Sequence, residues 1–114
     1  MIRRTVMSAG SILFCASLFA GTSFAQDSAT KGDAAKGKQT FEQCSMCHNV
    51  DSPEKKMGPS LQGLFKKKTL QSGKPVNDAN VLAQINNGGN GMPGYADMLS
   101  AQDKADILAY LHTL

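Results

Sequence analysis

The sequence predicts a small all-α domain of three main helices joined by loops. Three observations predict it: three segments combine a helix-start signal with apolar residues at helical spacing, alternating strand patterns are almost absent, and the chain is only 114 residues long. The domain is expected over residues 33–114, with no internal repeat and no second domain.

Residues 1–25 read as an address. Arg3 and Arg4 precede the apolar run Ile12-Leu13-Phe14-Cys15-Ala16-Ser17-Leu18-Phe19-Ala20, and small residues follow up to Ala25. That order is the secretory signal pattern, with cleavage expected after Ala25. The apolar run is about half of what a helix needs to cross a bilayer, so no stable membrane anchor is expected. A lipid on Cys15 is the rival, but lipoprotein signals require a small residue where Phe14 stands. Cleavage leaves about 90 residues, a size at which a protein core alone supports little stability. It also removes both arginines. Ten lysines then face nine acids, a balance near +1 that gives no argument for nucleic acid.

Residues 26–32 are small and polar and are expected to form a flexible tail. From Asp33, which can cap the free amides of Ala34, Ala35 and Lys36, a first helix is expected to run toward Cys44. Gly37 is a poor helix former and makes sense there if another helix crosses closely over it. Asn77-Asp78 caps a shorter amphipathic helix with Val81, Leu82 and Ile85 inward, closed by Gly88-Gly89. Ser100-Ala101-Gln102-Asp103 resembles a capping box with Asp in place of Glu, opening a last helix. In it Ala105, Leu108, Leu111 and Ile107, Leu111, Leu114 form the apolar stripe, with Tyr110 beside them.

Cys15 leaves with the signal, and the remaining cysteines, Cys44 and Cys47, are too close to staple distant segments. Cys44-Ser45-Met46-Cys47-His48 is Cys-x-x-Cys-His, the attachment sequence of a c-type haem. One turn of chain sets two thiols beside the two porphyrin vinyl groups, and the next residue brings an imidazole under the iron. Thiol–disulfide exchange would call for a thioredoxin-like alternation of strands and helices. Zinc would need four ligands, and His112, the only other strong donor, is distant in sequence.

The iron needs a second axial ligand or an open face. Met46 lies inside the attachment loop, Met57 follows His48 too closely, and Met98 precedes the last helix, where a core role is expected. Met92 stands in the glycine-rich Asn87-Gly88-Gly89-Asn90-Gly91-Met92-Pro93-Gly94-Tyr95, far enough along to pass around the macrocycle. Glycines let this strap approach closely and Pro93 stiffens it. His48 and Met92 are therefore the expected metal ligands. A porphyrin hiding the equivalent of two or three aromatic side chains, ~150–250 Å² each, stabilises the fold by on the order of 10 kcal/mol, so the apo-chain is expected to fold poorly.

Over residues 33–114 the chain resembles a class I cytochrome c in its short bacterial form. The resemblance rests on Gly37 and Phe41 in the first helix, Ile107 and Tyr110 in the last, Cys44, Cys47 and His48 at the attachment site, and Met92 at the strap. It also includes Gly58-Pro59-Ser60-Leu61 with Gly63-Leu64-Phe65. It implies a small cytochrome c fold wrapped around one covalently bound haem c. It further implies that the Pro59 carbonyl accepts a hydrogen bond from His48 and orients its ring. Lys66-Lys67-Lys68 follows Phe65, and the chain beyond the signal has neither Trp nor Arg, residues that some relatives use near the haem propionates. Tyr95, Asn90, Lys74 and backbone amides remain as candidates for that task.

With both axial positions filled, the expected function is one-electron transfer between redox proteins outside the cytoplasm, in a periplasm, and not enzymatic catalysis. The alternative is a five-coordinate haem sensor or peroxidase-like protein with Met92 displaced; no distal His or Arg is available to it. Residues 51–76 hold six lysines against Asp51 and Glu54. This asymmetry suits weak docking on acidic surfaces of redox partners by a protein expected to act as a monomer.

Overall fold

The structure is a computed structural model and describes residues 31–114; the expected signal segment and residues 26–30 lie outside the described residues. Asp33 is extended, and its carboxylate accepts the N–H groups of Ala35 and Lys36 at 2.9 and 3.2 Å, starting helix α1, Ala34–Thr40. The helical run continues toward Cys44 as expected, but not as one α-helix. It tightens into a 3₁₀ turn at Phe41–Gln43, as helix C-termini often do. Local side chains favour the change: Thr40 Oγ1 bonds back to the Lys36 carbonyl and Ser45 Oγ to that of Glu42.

A second 3₁₀ turn, Leu64–Lys66, precedes helix α2, Asp78–Asn87. Asn77 caps α2 by accepting the N–H of Asn80 at 2.8 Å, and Gly88 closes it with φ 63°. Val81 and Ile85 are buried, whereas Leu82 is only partly so. Helix α3, Ala101–Leu111, begins with the full capping box: Asp103 N–H bonds Ser100 Oγ, and Ser100 N–H bonds Asp103 Oδ2, both at 3.0 Å. Its inward stripe centres on Ile107 and Leu111. Among the described residues there is no strand, only isolated bridges between Thr69 and Pro75 and between Gly89 and Met92. No described helix is long and apolar enough to cross a membrane.

Side chains from both 3₁₀ turns, from α2 and α3 and from the intervening loops, Phe41, Leu64, Ile85, Tyr95 and Leu111 among them, meet in one core. Met98, expected in that core, is 67% exposed. Tyr95 and Leu99 take the inward positions, and the turn in which Met98 and Leu99 N–H both point to the Tyr95 carbonyl directs Met98 outward.

The α1–α3 crossing is the tightest contact. A Cβ at Gly37 would lie 1.9 Å from the Asp106 carbonyl oxygen and 2.9 Å from Tyr110 Cβ, so the helices meet backbone to backbone where α1 has no side chain. Next to this point Phe41 and Tyr110 pack with ring centroids 5.3 Å apart and planes at 57°, a tilted arrangement that favours the ring edges over the faces. Lys31 and Gly32, in the segment read as a tail, also lie against α3: Gln102 donates to the Lys31 carbonyl, and Gly32 backs onto Ala105. Gly37→Ala is expected to lower the denaturation midpoint of the haem-loaded protein, with a loss of about 3 kcal/mol, because backbone cannot yield as a side chain does.

Asp106 is a buried carboxylate in α3. Its Oδ1 accepts the Asp33 N–H at 2.7 Å and the Gln102 amide at 2.8 Å. These two hydrogen bonds, with a smaller contribution from nearby Lys36, hold its titration below the ordinary carboxylate range against the opposing cost of burial. A depressed folded-state value means that the stabilisation is complete above the unfolded value, about 3.9, and is lost as pH falls through the folded one. Acid unfolding monitored by circular dichroism is therefore expected to show a shallower loss of stability below about pH 4 in Asp106→Asn than in the parent.

Candidate haem site

A cavity of about 260 Å³ opens inside the core, lined by Cys44, Cys47, His48, Pro59 and Met92 together. The five site residues named from sequence thus converge on one space. The first three are set by a single turn in which His48 N–H bonds the Cys44 carbonyl at 3.0 Å and Cys47 N–H does so at 3.1 Å. Both thiols are free and partly buried, and burial, with Cys47 close by, pushes the Cys44 thiol up. Cys44 therefore stays a neutral thiol beside the cavity.

His48 Nδ1 lies 2.7 Å from the Pro59 carbonyl oxygen. A carbonyl can only accept, so Nδ1 carries the proton and Nε2 keeps its lone pair for a metal. The loop that presents Pro59 is braced twice against the attachment turn, by Gly58 N–H to the Cys47 carbonyl and Leu61 N–H to that of Asn49, each at 2.8 Å. Gly58 must lack a side chain: a Cβ there would come within 2.5 Å of His48 Cε1.

Met92 is held by a tight strap in which Met92 and Gly89 exchange N–H···O bonds at 2.9 and 3.0 Å. Gly88, Gly89, Asn90 and Gly91 all take positive φ within it. The Gln84 side-chain amide lies 3.0 Å from the Gly88 carbonyl and 3.8 Å from Met92 Sδ. Gln84 was not apparent as a site residue from sequence. Its position four residues before Gly88, on the last full turn of α2, was the available signal.

Of the four methionines weighed from sequence, Met57 also lines the cavity, yet it is 83% exposed with its sulfur 4.0 Å from Cys47 Sγ. It stands at the rim. Met46 and Met98 do not line the cavity. Among the residues considered for the propionates, Asn90 and Tyr95 line it and Lys74 does not; Lys67, Thr69, Gln71 and Ser72 supply further polar wall. Lys67 Nζ is tied to the Ser60 carbonyl at 2.9 Å. Burial raises the Tyr95 phenol, which stays protonated as a donor.

The residues fit a haem. The walls are mainly apolar, two thiols stand at one turn, and an imidazole nitrogen and a thioether reach the same space. The described residues contain no group of three His, Cys, Asp or Glu side chains that could hold a bare metal ion.

A family model described as Cytochrome c matches residues 34–114. Cytochrome c2 iso-1 of Magnetospirillum molischianum is 28% identical over 92 residues, covering 65% of this chain and 92% of that protein. Cytochrome c6 of Synechocystis sp. is 31% identical over 103 residues, covering 90% of this chain and 82% of that protein. The solved structure of cytochrome cH from Methylobacterium extorquens superposes with a TM-score of 0.55 at 26% identity, over 73% of this chain and 100% of that one. The match carries one covalently attached haem c with its iron, and Cys44 and Cys47 stand at the attachment spacing. With three α-helices, a largely apolar cavity beside the Cys-x-x-Cys-His turn and relatives matched over most of their length, the chain belongs to the cytochrome c family, among the class I mono-haem members.

Proposed function

We propose that the chain is exported, loses its signal after Ala25, and carries single electrons between redox proteins in the periplasm with His48 and Met92 as the axial ligands of its haem. The observation that carries this reading is the convergence of His48, Met92 and both cysteines on one largely apolar cavity. The bound haem supplies one-electron redox chemistry; the chain supplies the surroundings. Pro59 fixes the ring of His48 and its tautomer, and the Gln84 amide approaches the sulfur of Met92. A site whose ligand donors are held by such contacts changes little in shape when charge changes, which suits outer-sphere transfer. No side chain is needed as a general acid, base or nucleophile, so the reading is of a carrier and not an enzyme.

Lys66, Lys67 and Lys68 leave the second 3₁₀ turn as an exposed cationic run, and Lys55 and Lys56 are exposed beside the rim residue Met57. Lys56 Nζ is held to the Ser45 carbonyl of the attachment loop at 3.0 Å. This positive surface beside the cavity favours partners with acidic docking faces.

Met92→Ala is expected to keep covalent haem while losing the weak far-red absorption of a thioether-bound ferric haem and gaining carbon monoxide binding in the ferrous form. An unchanged far-red band would remove Met92 from the ligand set and, with carbon monoxide binding already present in the parent, would favour an open-face haem protein. The rate of oxidation by a small anionic complex is expected to fall as ionic strength rises, and that by a cationic one to rise, in stopped-flow measurements. Equal salt dependence for both would remove the cationic docking surface.

A further inference from the structure

One residue touches both ends of the segment that walls part of the cavity. His112 caps the C-terminus of α3. Its Nε2 lies 2.6 Å from Oδ1 of Asp78, the first residue of α2. Its ring stacks on that of Phe65, in the second 3₁₀ turn, with centroids 3.6 Å apart and planes at 18°. Between Phe65 and Asp78 the chain makes an excursion and returns. Along it Val76 N–H bonds the Lys68 carbonyl at 3.0 Å, Leu70 N–H that of Lys74 at 2.8 Å, and Gly73 N–H that of Leu70 at 2.9 Å. These bonds close residues 68–76 on themselves within the 66–77 loop, and Lys67, Thr69, Leu70, Gln71 and Ser72 on it line the haem cavity.

We propose that His112 is a positioning residue that clamps the 66–77 loop shut over the cavity by gripping both of its ends. The grip combines two unlike contacts. The Asp78 carboxylate accepts from Nε2, and the aromatic stack fixes Phe65. Each contact holds one end of the loop to the C-terminus of α3. Most of the loop is exposed, with only Leu70 and Val76 partly buried, so packing holds it weakly. Beyond the turn and cap bonds at its two ends, its side-chain ties are the Lys67 bond to the Ser60 carbonyl and the Asn80 amide bond to the Pro75 carbonyl. With the ends gripped, the loop keeps water from one wall of the cavity. A drier surrounding disfavours the more highly charged ferric state and so raises the reduction potential.

The test is amide hydrogen exchange together with the reduction potential, measured on the haem-loaded protein and its His112→Ala variant. The clamp predicts about tenfold faster exchange at Leu70, Gly73 and Val76, unchanged exchange at Ile107 and Leu111 in α3, and a lower potential. His112→Phe keeps a stack, and His112→Asn offers only an amide toward Asp78; each is expected to fall between the parent and His112→Ala. Unchanged exchange in the loop would overturn the proposal. So would a uniform increase across loop and α3, which marks a merely stabilising residue, or a loosened loop with an unaltered potential. Should His112→Ala fail to accumulate with haem, His112→Phe and Asp78→Asn support the same comparison.

Discussion

The meeting of α1 and α3 at Gly37 governs the course of the chain as far as the haem-attachment turn. Because the Asp106 carbonyl occupies the place of a side chain, the two helices approach as closely as backbones allow. Phe41 then enters the core against Tyr110, and the tightening at Phe41–Gln43 delivers Cys44, Cys47 and His48 to the cavity within a few residues. Displacement of the crossing would move the attachment turn with it. Asp106 reinforces the junction from the other side by capturing the Asp33 amide, so one short stretch of α3 both receives α1 and marks where it begins.

The centre of the protein is a space as much as a set of side chains. The core residues surround the cavity and do not fill it, and the same Phe41, Leu64, Ile85 and Leu111 that form the hydrophobic cluster also line the wall. In a chain of this size the cofactor is thus part of the core, and folding and cofactor retention are coupled. The polar contacts are few and directed at donors. The Pro59 carbonyl accepts the hydrogen bond from His48 Nδ1–H, and the Gln84 amide approaches Met92. Both residues so contacted line the largely apolar cavity.

The sequence carried the parts of this arrangement that are encoded locally. Asp33, Asn77 and the Ser100–Asp103 box announce helices through bonds that span only a few residues. The Cys44–His48 spacing likewise states its chemistry within one turn. The features that were not legible depend on residues far apart in sequence. Nothing near Gln84 shows that its amide faces Met92, because that requires the strap to fold back over α2. The burial of Asp106 depends on the docking of a segment 73 positions earlier, and the contacts of His112 join the C-terminus to two other parts of the chain. The outward turn of Met98 departs from expectation for a related reason: helical spacing fixes which residues share a face, but the neighbouring structure decides where that face ends.

The exposed methionines at the site add a different quality to the surface. Met57 at the rim and Met46 in the attachment loop are 83% and 79% exposed, and both carry unbranched, polarizable side chains with several rotatable bonds. Such groups take the shape of whatever is pressed against them, while fixed lysines nearby set the approach. A surface of this kind tolerates imperfect fit. In the proposed carrier it would make contact without demanding a unique complement, and partners of different contour would be engaged and released by the same small area.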